Sequence, residues 1–224
     1  MRETLKHFSK EQKNHMMKST PQHHEAIRQR IIEKAVQAFH HDGIKSVTMD
    51  SIAHALSMSK RTLYQMFSDK EELLLACIKW HDEQYEKELT QMLDKQDNVL
   101  EFILTTFAKR LDEMQQIKHT FFMEILKYPK LMAYFGEKQQ LQEKDAVEFL
   151  NRGIEQGYFR RDVNFRIVYN QLTEGINTML RNKVLQSYSQ RELFCNTVLI
   201  YLRGCATLRG IELIDKFMGE AEAE

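Results

Sequence analysis

A short polar stretch in the N-terminal third of the chain gathers side chains that can donate and accept hydrogen bonds. Residues 57–67 read SMSKRTLYQMF, in which the apolar Leu63 and Phe67 are four positions apart. That spacing puts both apolar side chains on one face of a helix, where they can pack on a core. The remaining positions carry two cations, hydroxyl groups, a phenol and an amide, and such groups suit contacts with nucleic-acid bases and phosphates.

The stretch therefore predicts a recognition helix that enters the major groove of DNA. Arg61 can bind guanine O6 and N7 through two parallel hydrogen bonds, and Gln65 can bind adenine in the same way. Hydroxyl groups can bind phosphate oxygens, and the start of a neighbouring helix favours an anion. Taken singly, each such side chain is more often an ordinary solvated residue. The predicted DNA-binding residues are Thr48, Ser59, Lys60, Arg61, Thr62, Tyr64, Gln65 and Lys70.

The flanking sequence predicts the helices that would hold this stretch in place. Apolar residues at three- and four-residue spacing predict a first helix that ends at a glycine. Thr48 can cap a second helix, Ser59 the recognition helix, and Ser68 a fourth helix. Since the second and third helices are joined by a very short turn, the pattern is that of a helix-turn-helix.

Composition favours an all-α protein. Only two prolines and eight glycines occur in 224 residues, which leaves little material for hairpin turns. No apolar run approaches the ~20 residues of a membrane span, and the N-terminus has no stretch of signal-peptide type. The three cysteines lack CxxC spacing, which favours a reducing compartment. A cytoplasmic protein without a membrane partner is expected.

Charge is divided unevenly along the chain although the net charge is zero. Residues 1–80 contain 13 Lys and Arg against 9 Asp and Glu, and residues 81–224 contain 19 against 23. The basic excess thus lies in the part that contains the predicted recognition helix, as expected for a DNA-binding region.

Residues 38–74 closely resemble the DNA-binding region of TetR-type transcriptional regulators. In that family a Thr begins the second helix, an Ile-Ala pair packs it, Ser-Lys-x-Thr-Leu-Tyr-x-x-Phe forms the recognition helix and Lys-Glu-x-Leu opens the next. The matching positions are Thr48, Ile52-Ala53, residues 59–67 and residues 70–73. The match is ordered and ungapped, extends over about residues 22–75 and covers under a quarter of the chain.

Two positions depart from the family pattern. Ser57 stands in the turn where the family usually has Gly; a positive φ there would cost on the order of 1–2 kcal/mol, although packing by its neighbours should still form the turn. Met66 stands where the family often has His or an aromatic residue that touches phosphate.

The resemblance implies an all-helical C-terminal body for ligand binding and dimerisation. We accordingly expect a flexible tail over residues 1–21, a helix-turn-helix domain over 22–68, the helical body over 69–218 and an acidic tail over 219–224. Within the body, the pattern predicts a short helix over residues 130–135, a separate helix that ends at Gly157, and two long final helices over 164–185 and 190–217.

The last two helices of this family usually pair with their copies in a second subunit. The final predicted helix has more apolar surface than one core-facing stripe needs, although packing within a monomer is the alternative. The residues predicted at a homodimer interface are Leu172, Met179, Leu199, Leu202, Cys205 and Ala206.

A pocket for an unknown small molecule is expected in the same body. The chain has twelve methionines, which suggest an interior that can adapt to an apolar molecule, although such residues are more often core than pocket. The predicted pocket residues are Trp80, Phe102, Phe107, Phe121, Phe122, Met123 and Met179.

The chain lacks the motifs of common enzyme classes. It has no glycine-rich phosphate loop, no GxSxG and no HExxH, so we expect no enzyme, no cofactor and no metal. The adjacent histidines at 23–24 and 40–41 point to different faces of a helix and are interpreted as surface residues.

The predicted function is that of a homodimeric repressor on a near-palindromic operator. A ligand in the body would move the fourth helix and weaken DNA binding. The alternative is a helical ligand- or partner-binding protein with a vestigial DNA-binding head.

Overall fold

The computed structural model describes residues 21–181 and 187–223, which fold into helices. Apart from Pro21, the predicted N-terminal tail lies outside the described residues, as do residues 182–185 of the penultimate predicted helix. The helices are α1 (Pro21–Asp42), α2 (Met49–Ala55), α3 (Lys60–Met66), α4 (Lys70–Leu93), α5 (Val99–Gln115), α6 (His119–Ile125), α7 (Pro129–Glu155), α8 (Phe165–Arg181), α9 (Gln190–Asn196), α10 (Val198–Cys205) and α11 (Leu208–Ala223).

The first hydrophobic core holds the N-terminal helices together. Ile31 and Phe39 of α1, Ile52 of α2, Leu63 of α3 and Leu73 of α4 are each at most 2% exposed. These side chains recur at helical spacing on the inner face of each helix, so their burial removes one apolar stripe per helix from water. The recognition helix α3 thus packs on this core through its inner face.

Helix α6 also packs into this first core. Phe121 and Ile125 belong to the same buried cluster as the N-terminal helices, together with Leu131 near the start of α7. The DNA-binding region and this part of the body therefore share one core, and a displacement of α6 must be accommodated by the helices packed against it.

A second core lies farther along the chain. Leu100 and Leu104 of α5, Phe165 of α8 and Ile214 of α11 are buried around Phe159. Gly153 of α7 belongs here because an added Cβ would lie 2.4 Å from the ring of Phe159. This core joins the helices of the C-terminal body.

The prediction of two separate helices around Gly136 is wrong. Helix α7 runs without a break from Pro129 to Glu155. Proline is tolerated at the first helical position, where its missing N–H would have no partner. Gly136 adopts helical geometry within α7 and does not end it, because a single glycine costs a helix only about 1 kcal/mol.

The prediction of one long final helix is also wrong, since α9, α10 and α11 replace it. Between α10 and α11 the chain is extended, and Ala206 forms an antiparallel bridge with Phe159. The N–H of Thr207 donates to the carbonyl of Tyr158 at 2.9 Å, and its hydroxyl accepts from the N–H of Gly210 at 3.2 Å. These contacts replace the helical hydrogen bonds that are lost where the chain leaves the helix. Hydrophobic periodicity along one segment does not reveal them.

Helix α11 extends to Ala223, through most of the predicted acidic tail. None of the described helices is both long enough and apolar enough to cross a membrane.

Candidate nucleic-acid interface

The helix-turn-helix is built by two side-chain caps. Thr48 and Ser51 form a capping box, in which each backbone N–H donates to the hydroxyl of the other residue at 3.0 Å. The hydroxyl of Ser59 accepts from the N–H of Thr62 at 3.1 Å and so caps α3. Both predicted caps are confirmed, and each satisfies a backbone donor that has no partner within its helix.

The turn between α2 and α3 contains the expected strain. Ser57 has a φ of 52°, and among the described residues it is the one non-glycine with a positive φ. Leu56 and Met58 on either side pack against the first core. The N–H of Met58 also donates to the carbonyl of Ala53 at 3.0 Å. The prediction that this turn forms despite Ser57 is therefore confirmed.

Helix α3 separates a packing face from a polar face, as the sequence predicts. Leu63 is fully buried and Phe67, which directly follows α3, is 1% exposed. Tyr64 is 49% exposed although it is aromatic, and Arg61 and Gln65 are also exposed. An exposed tyrosine beside an arginine and a glutamine provides the donors and acceptors that base edges and phosphates need.

Lys60 carries a partner that the sequence analysis did not anticipate. Its Nζ lies 2.5 Å from the carboxylate of Asp50 in α2, and both side chains are more than half exposed. The hydrogen bond and the charge of Asp50 raise the pKa of Lys60 above its usual value. The ion pair links α2 to the first turn of α3, and DNA phosphate would compete with Asp50 for this ammonium group.

The start of α4 differs in detail from its prediction. Asp69, and not Ser68, caps this helix by accepting from the N–H of Glu72 at 2.7 Å. The hydroxyl of Ser68 donates to the carboxylate of Glu72 at 2.6 Å. Aspartate outcompetes serine here because a carboxylate gives a charge-assisted hydrogen bond and complements the helix dipole.

Lys70 makes a contact within the protein. Its Nζ donates to the carbonyl of Val47 at 2.5 Å, and burial lowers its pKa. Lys70 thereby connects the start of α4 to the segment that precedes Thr48. A phosphate contact by Lys70 remains a prediction, in competition with this hydrogen bond.

A cavity of about 710 Å³ lies beside α6, and two predicted pocket residues line it, Phe121 and Phe122. The other predicted pocket residues are not among its lining: Trp80, Phe102, Phe107, Met123 and Met179. Phe102 is buried against Phe149, and Met179 lines a different groove, on α8.

The sequence analysis missed polar groups that line this cavity, among them His40, His81 and Arg110. His40 is half-buried, and its surface interpretation is wrong. Burial, followed by the charges of His81 and Arg110, lowers the pKa of His40 to about 4. Burial also lowers the pKa of His81, with Arg110 as the next cause. No spacing rule connects these residues, since they lie on three different helices.

Four of the predicted dimer-interface residues lie in the subunit's own core. Leu199, Leu202, Cys205 and Ala206 are each less than 10% exposed within the second core. Leu172 packs against the same core, and Met179 lines the groove on α8. Among the described residues, the large apolar side chains of α8 and α10 that are exposed are Ile167, Ile176, Ile200 and Tyr201, none of which is among the predicted interface residues.

Comparison with known proteins gives a consistent picture. Residues 31–77 match the sequence profile described as bacterial regulatory proteins of the tetR family. The chain is 27% identical over 149 residues to the HTH-type transcriptional repressor KstR2 of Mycobacterium tuberculosis. The aligned region covers 62% of this chain and 72% of that protein.

Solved structures share the fold. The fatty acid degradation regulator FadR from Bacillus halodurans superposes with a TM-score of 0.59 at 19% identity, over 78% of this chain and 94% of that one. A transcriptional regulator from Cytophaga hutchinsonii superposes with a TM-score of 0.64 at 20% identity, over 80% of this chain and 98% of that one. Together with the capped helix pair and the polar face of α3, the profile match identifies residues 31–77 as a DNA-binding region of the TetR type.

Proposed function

We propose that the protein represses transcription as a homodimer and leaves its operator when a small molecule fills the cavity beside α6. The observation that carries this proposal is the position of α6, which lines the cavity and contacts the DNA-binding region. As a DNA-binding regulator, the protein would act in the cytoplasm.

The proposed DNA contacts divide between bases and backbone. Arg61 and Gln65 on the exposed face of α3 would read base edges. Tyr64 and Thr48 would bind phosphate oxygens, and Lys60 would do so after leaving Asp50. Ser59 and Thr62, whose hydroxyl oxygens lie 2.8 Å apart, would contribute through the N-terminal turn of α3.

The proposed dimer uses the outer face of α8 and α10. Ile167 is 60% exposed and Ile200 is 57% exposed. Ile167 lines one groove together with Met179 and Tyr201. Exposed apolar side chains on neighbouring helices suit a partner surface, and a twofold partner would present two recognition helices to the half-sites of a near-palindromic operator.

Contacts between α6 and the first loop provide a route from the cavity to the DNA-binding helices. The carboxylate of Glu124 accepts from the backbone N–H of Lys45 at 2.6 Å. The N–H of Lys118 donates to the carbonyl of His40 at 2.8 Å. At Gly43 an added Cβ would lie 2.8 Å from the hydroxyl oxygen of Thr120. The start of α6 therefore lies directly against the end of α1 and the loop that follows it.

Helix α4 provides a second route, since its first half packs in the core of the DNA-binding region and Ile78, His81 and Asp82 line the cavity. A ligand that fits only a displaced arrangement of α4 and α6 would favour that arrangement. Displacement of α4 would change the separation of the two recognition helices and weaken operator binding. The description of KstR2 as a repressor supports repression as the outcome.

Mobility-shift assays with the DNA upstream of the protein's own gene test this proposal, in a salt series with competitor DNA. Saturable binding by two subunits that weakens steeply with salt is expected. Tyr64→Ala should weaken binding at least tenfold, whereas Tyr188→Ala, at a 55% exposed tyrosine before α9, should not. Equal affinity of both variants would overturn the assigned DNA contacts. Weak and unspecific binding to every genomic fragment would favour the vestigial head.

A further inference from the structure

The cavity beside α6 has an apolar wall and one polar cluster. Phe121, Phe122 and Phe135 line the apolar part. His40 and His81 line the polar part, with ring centroids 6.2 Å apart, and His40 packs edge-on against Phe121 at 5.0 Å. A volume of about 710 Å³ lies in the range of small-molecule sites. An occupant of this cavity must match both parts.

Arg110 supplies the positive charge of the polar cluster. Its guanidinium lies 4.8 Å from the ring centroid of Tyr85, and its charge acts on both imidazoles. Its ion pair with Glu113 measures 3.8 Å, which is longer than a hydrogen bond. A guanidinium can hold a carboxylate through two parallel N–H donors, so an incoming anion can form a closer contact than Glu113 does.

The two carboxylates of the lining already have cations beside them. Asp82 lies 2.7 Å from Nζ of Lys138 and accepts from the hydroxyl of Tyr134 at 2.9 Å. Glu113 lies 3.8 Å from Nζ of Lys109 as well as from Arg110. Negative charge in the lining is thus compensated from within the protein, which leaves little attraction for a cationic ligand.

We propose that the cavity binds a molecule with an apolar body and a carboxylate head, with the head on Arg110 and the imidazoles of His40 and His81 beside it as hydrogen-bond donors. This proposal rests on the proposed function, because it names the chemical class of the releasing ligand. A primary amine would face the positive charge of Arg110, and an alcohol would gain no charge-assisted hydrogen bond. The described residues contain no group of three or more His, Cys, Asp or Glu that could hold a metal ion.

Calorimetric titration of the full-length protein with three ten-carbon probes tests the head group. Decanoate, decan-1-ol and decylamine share the same apolar body and differ in charge at neutral pH. We expect decanoate to bind at least tenfold more tightly than either other probe, as a hydrogen bond to a charged group predicts. Tighter binding of the alcohol or the amine would overturn the proposal, and so would failure of decanoate to bind at millimolar concentration.

Substitutions of Arg110 test whether this residue causes the preference for the carboxylate probe. Arg110→Gln should abolish the tenfold preference for the acid, and Arg110→Lys should retain part of it, while binding of decan-1-ol should change little in either. Arg161→Gln provides the matched control at an exposed arginine outside the cavity lining. Retention of the full preference in Arg110→Gln would place the carboxylate elsewhere and overturn the proposal. Unchanged decan-1-ol binding and an unchanged melting curve show that a variant has kept its cavity.

The same probes, added to the mobility-shift assay, separate this inference from the proposed function. If decanoate binds in the calorimeter through Arg110 but does not release DNA, the head-group assignment stands and the release mechanism fails. If DNA is released by other small molecules while decanoate does not bind, release stands and the head-group assignment fails.

Discussion

The carboxylate of Glu124 accepts a hydrogen bond of 2.6 Å from the backbone N–H of Lys45, 79 positions earlier in the chain. The bond connects helix α6, whose side chains line the cavity, to the loop between α1 and α2. It holds the start of the helix-turn-helix against the body, and a ligand that displaced α6 would move or break it.

Removal of this bond should weaken operator binding in the absence of ligand. Glu124→Ala deletes the acceptor, so the loop at Lys45 can move and the recognition helix is less well oriented. The loss of one such bond, about 1 kcal/mol, corresponds to a roughly fivefold increase in Kd for operator DNA. Fluorescence anisotropy with labelled operator measures this change.

Glu124→Gln provides the control for this prediction, because its amide oxygen can still accept from Lys45. Its operator affinity should stay close to that of the unmodified protein. If the alanine and glutamine variants bind equally well, the bond does not hold the DNA-binding region in its binding orientation.

Ser57→Gly should stabilise the protein. At a φ of 52° serine is in the left-handed conformation, which costs a non-glycine residue about 1–2 kcal/mol. Glycine adopts this conformation without that cost. Glycine has the more flexible unfolded chain, which offsets part of the gain, so the free energy of unfolding should rise by about 0.5–1 kcal/mol. Urea unfolding followed by circular dichroism measures it.

Ser46→Gly is the matched control, since Ser46 is an exposed serine in a turn and is not among the residues with positive φ. It should leave stability unchanged or lower it. If both glycine variants were destabilised alike, the turn at Ser57 would store no strain.

The DNA-binding region could be predicted from the sequence because its determinants are local. Thr48 lies three residues before Ser51, and Ser59 three before Thr62, so each cap and its target are neighbours in the chain. The four-residue spacing of Leu63 and Phe67 likewise reports one helix face. Interactions between residues that are close in the chain can therefore be predicted from the sequence alone.

The cavity and the exposed face of the body could not be predicted in this way. His40, His81 and Arg110 meet because three helices pack together, and nothing in their spacing signals that meeting. The end of α10 is set by pairing between Ala206 and Phe159, which are 47 positions apart. Since that pairing separates α10 from α11, it also changes which side chains of the final segment are exposed.

Ile167→Glu should convert the proposed dimer into monomers. A glutamate in the middle of a buried apolar interface loses its hydration without a partner, which typically costs several kcal/mol. Ile167 is 60% exposed in the isolated chain, so the substitution should leave the fold intact. Light scattering coupled to size-exclusion chromatography should give half the mass of the unmodified protein.

Leu141→Glu is the matched control for dimerisation, because Leu141 is 76% exposed on α7. This variant should remain a dimer. A dimeric Ile167→Glu protein would exclude the α8 groove from the interface, and a monomeric Leu141→Glu protein would move the interface to α7.

The buried position of His40 should make the protein less stable as pH falls through a defined window. Burial, the charge of His81 and then the charge of Arg110 lower the pKa of His40 from its usual 6.5 to about 4. Asp82 and Glu113 also line this cavity but are not among those causes. Between the two pKa values the unfolded chain binds a proton at this position and the folded chain does not, so lower pH favours unfolding.

The contribution of neutral His40 to the free energy of unfolding is therefore fully present above about pH 6.5 and is lost as pH falls toward 4. His40→Gln cannot bind a proton, so its free energy of unfolding should fall less steeply between pH 7 and pH 4.5 than that of the unmodified protein. Urea unfolding at several pH values in this range measures both slopes. A group contributes to the pH dependence of stability only through the difference between its pKa values in the folded and unfolded chains. Parallel curves for the His40→Gln and unmodified proteins would therefore show that His40 has the same pKa in both states.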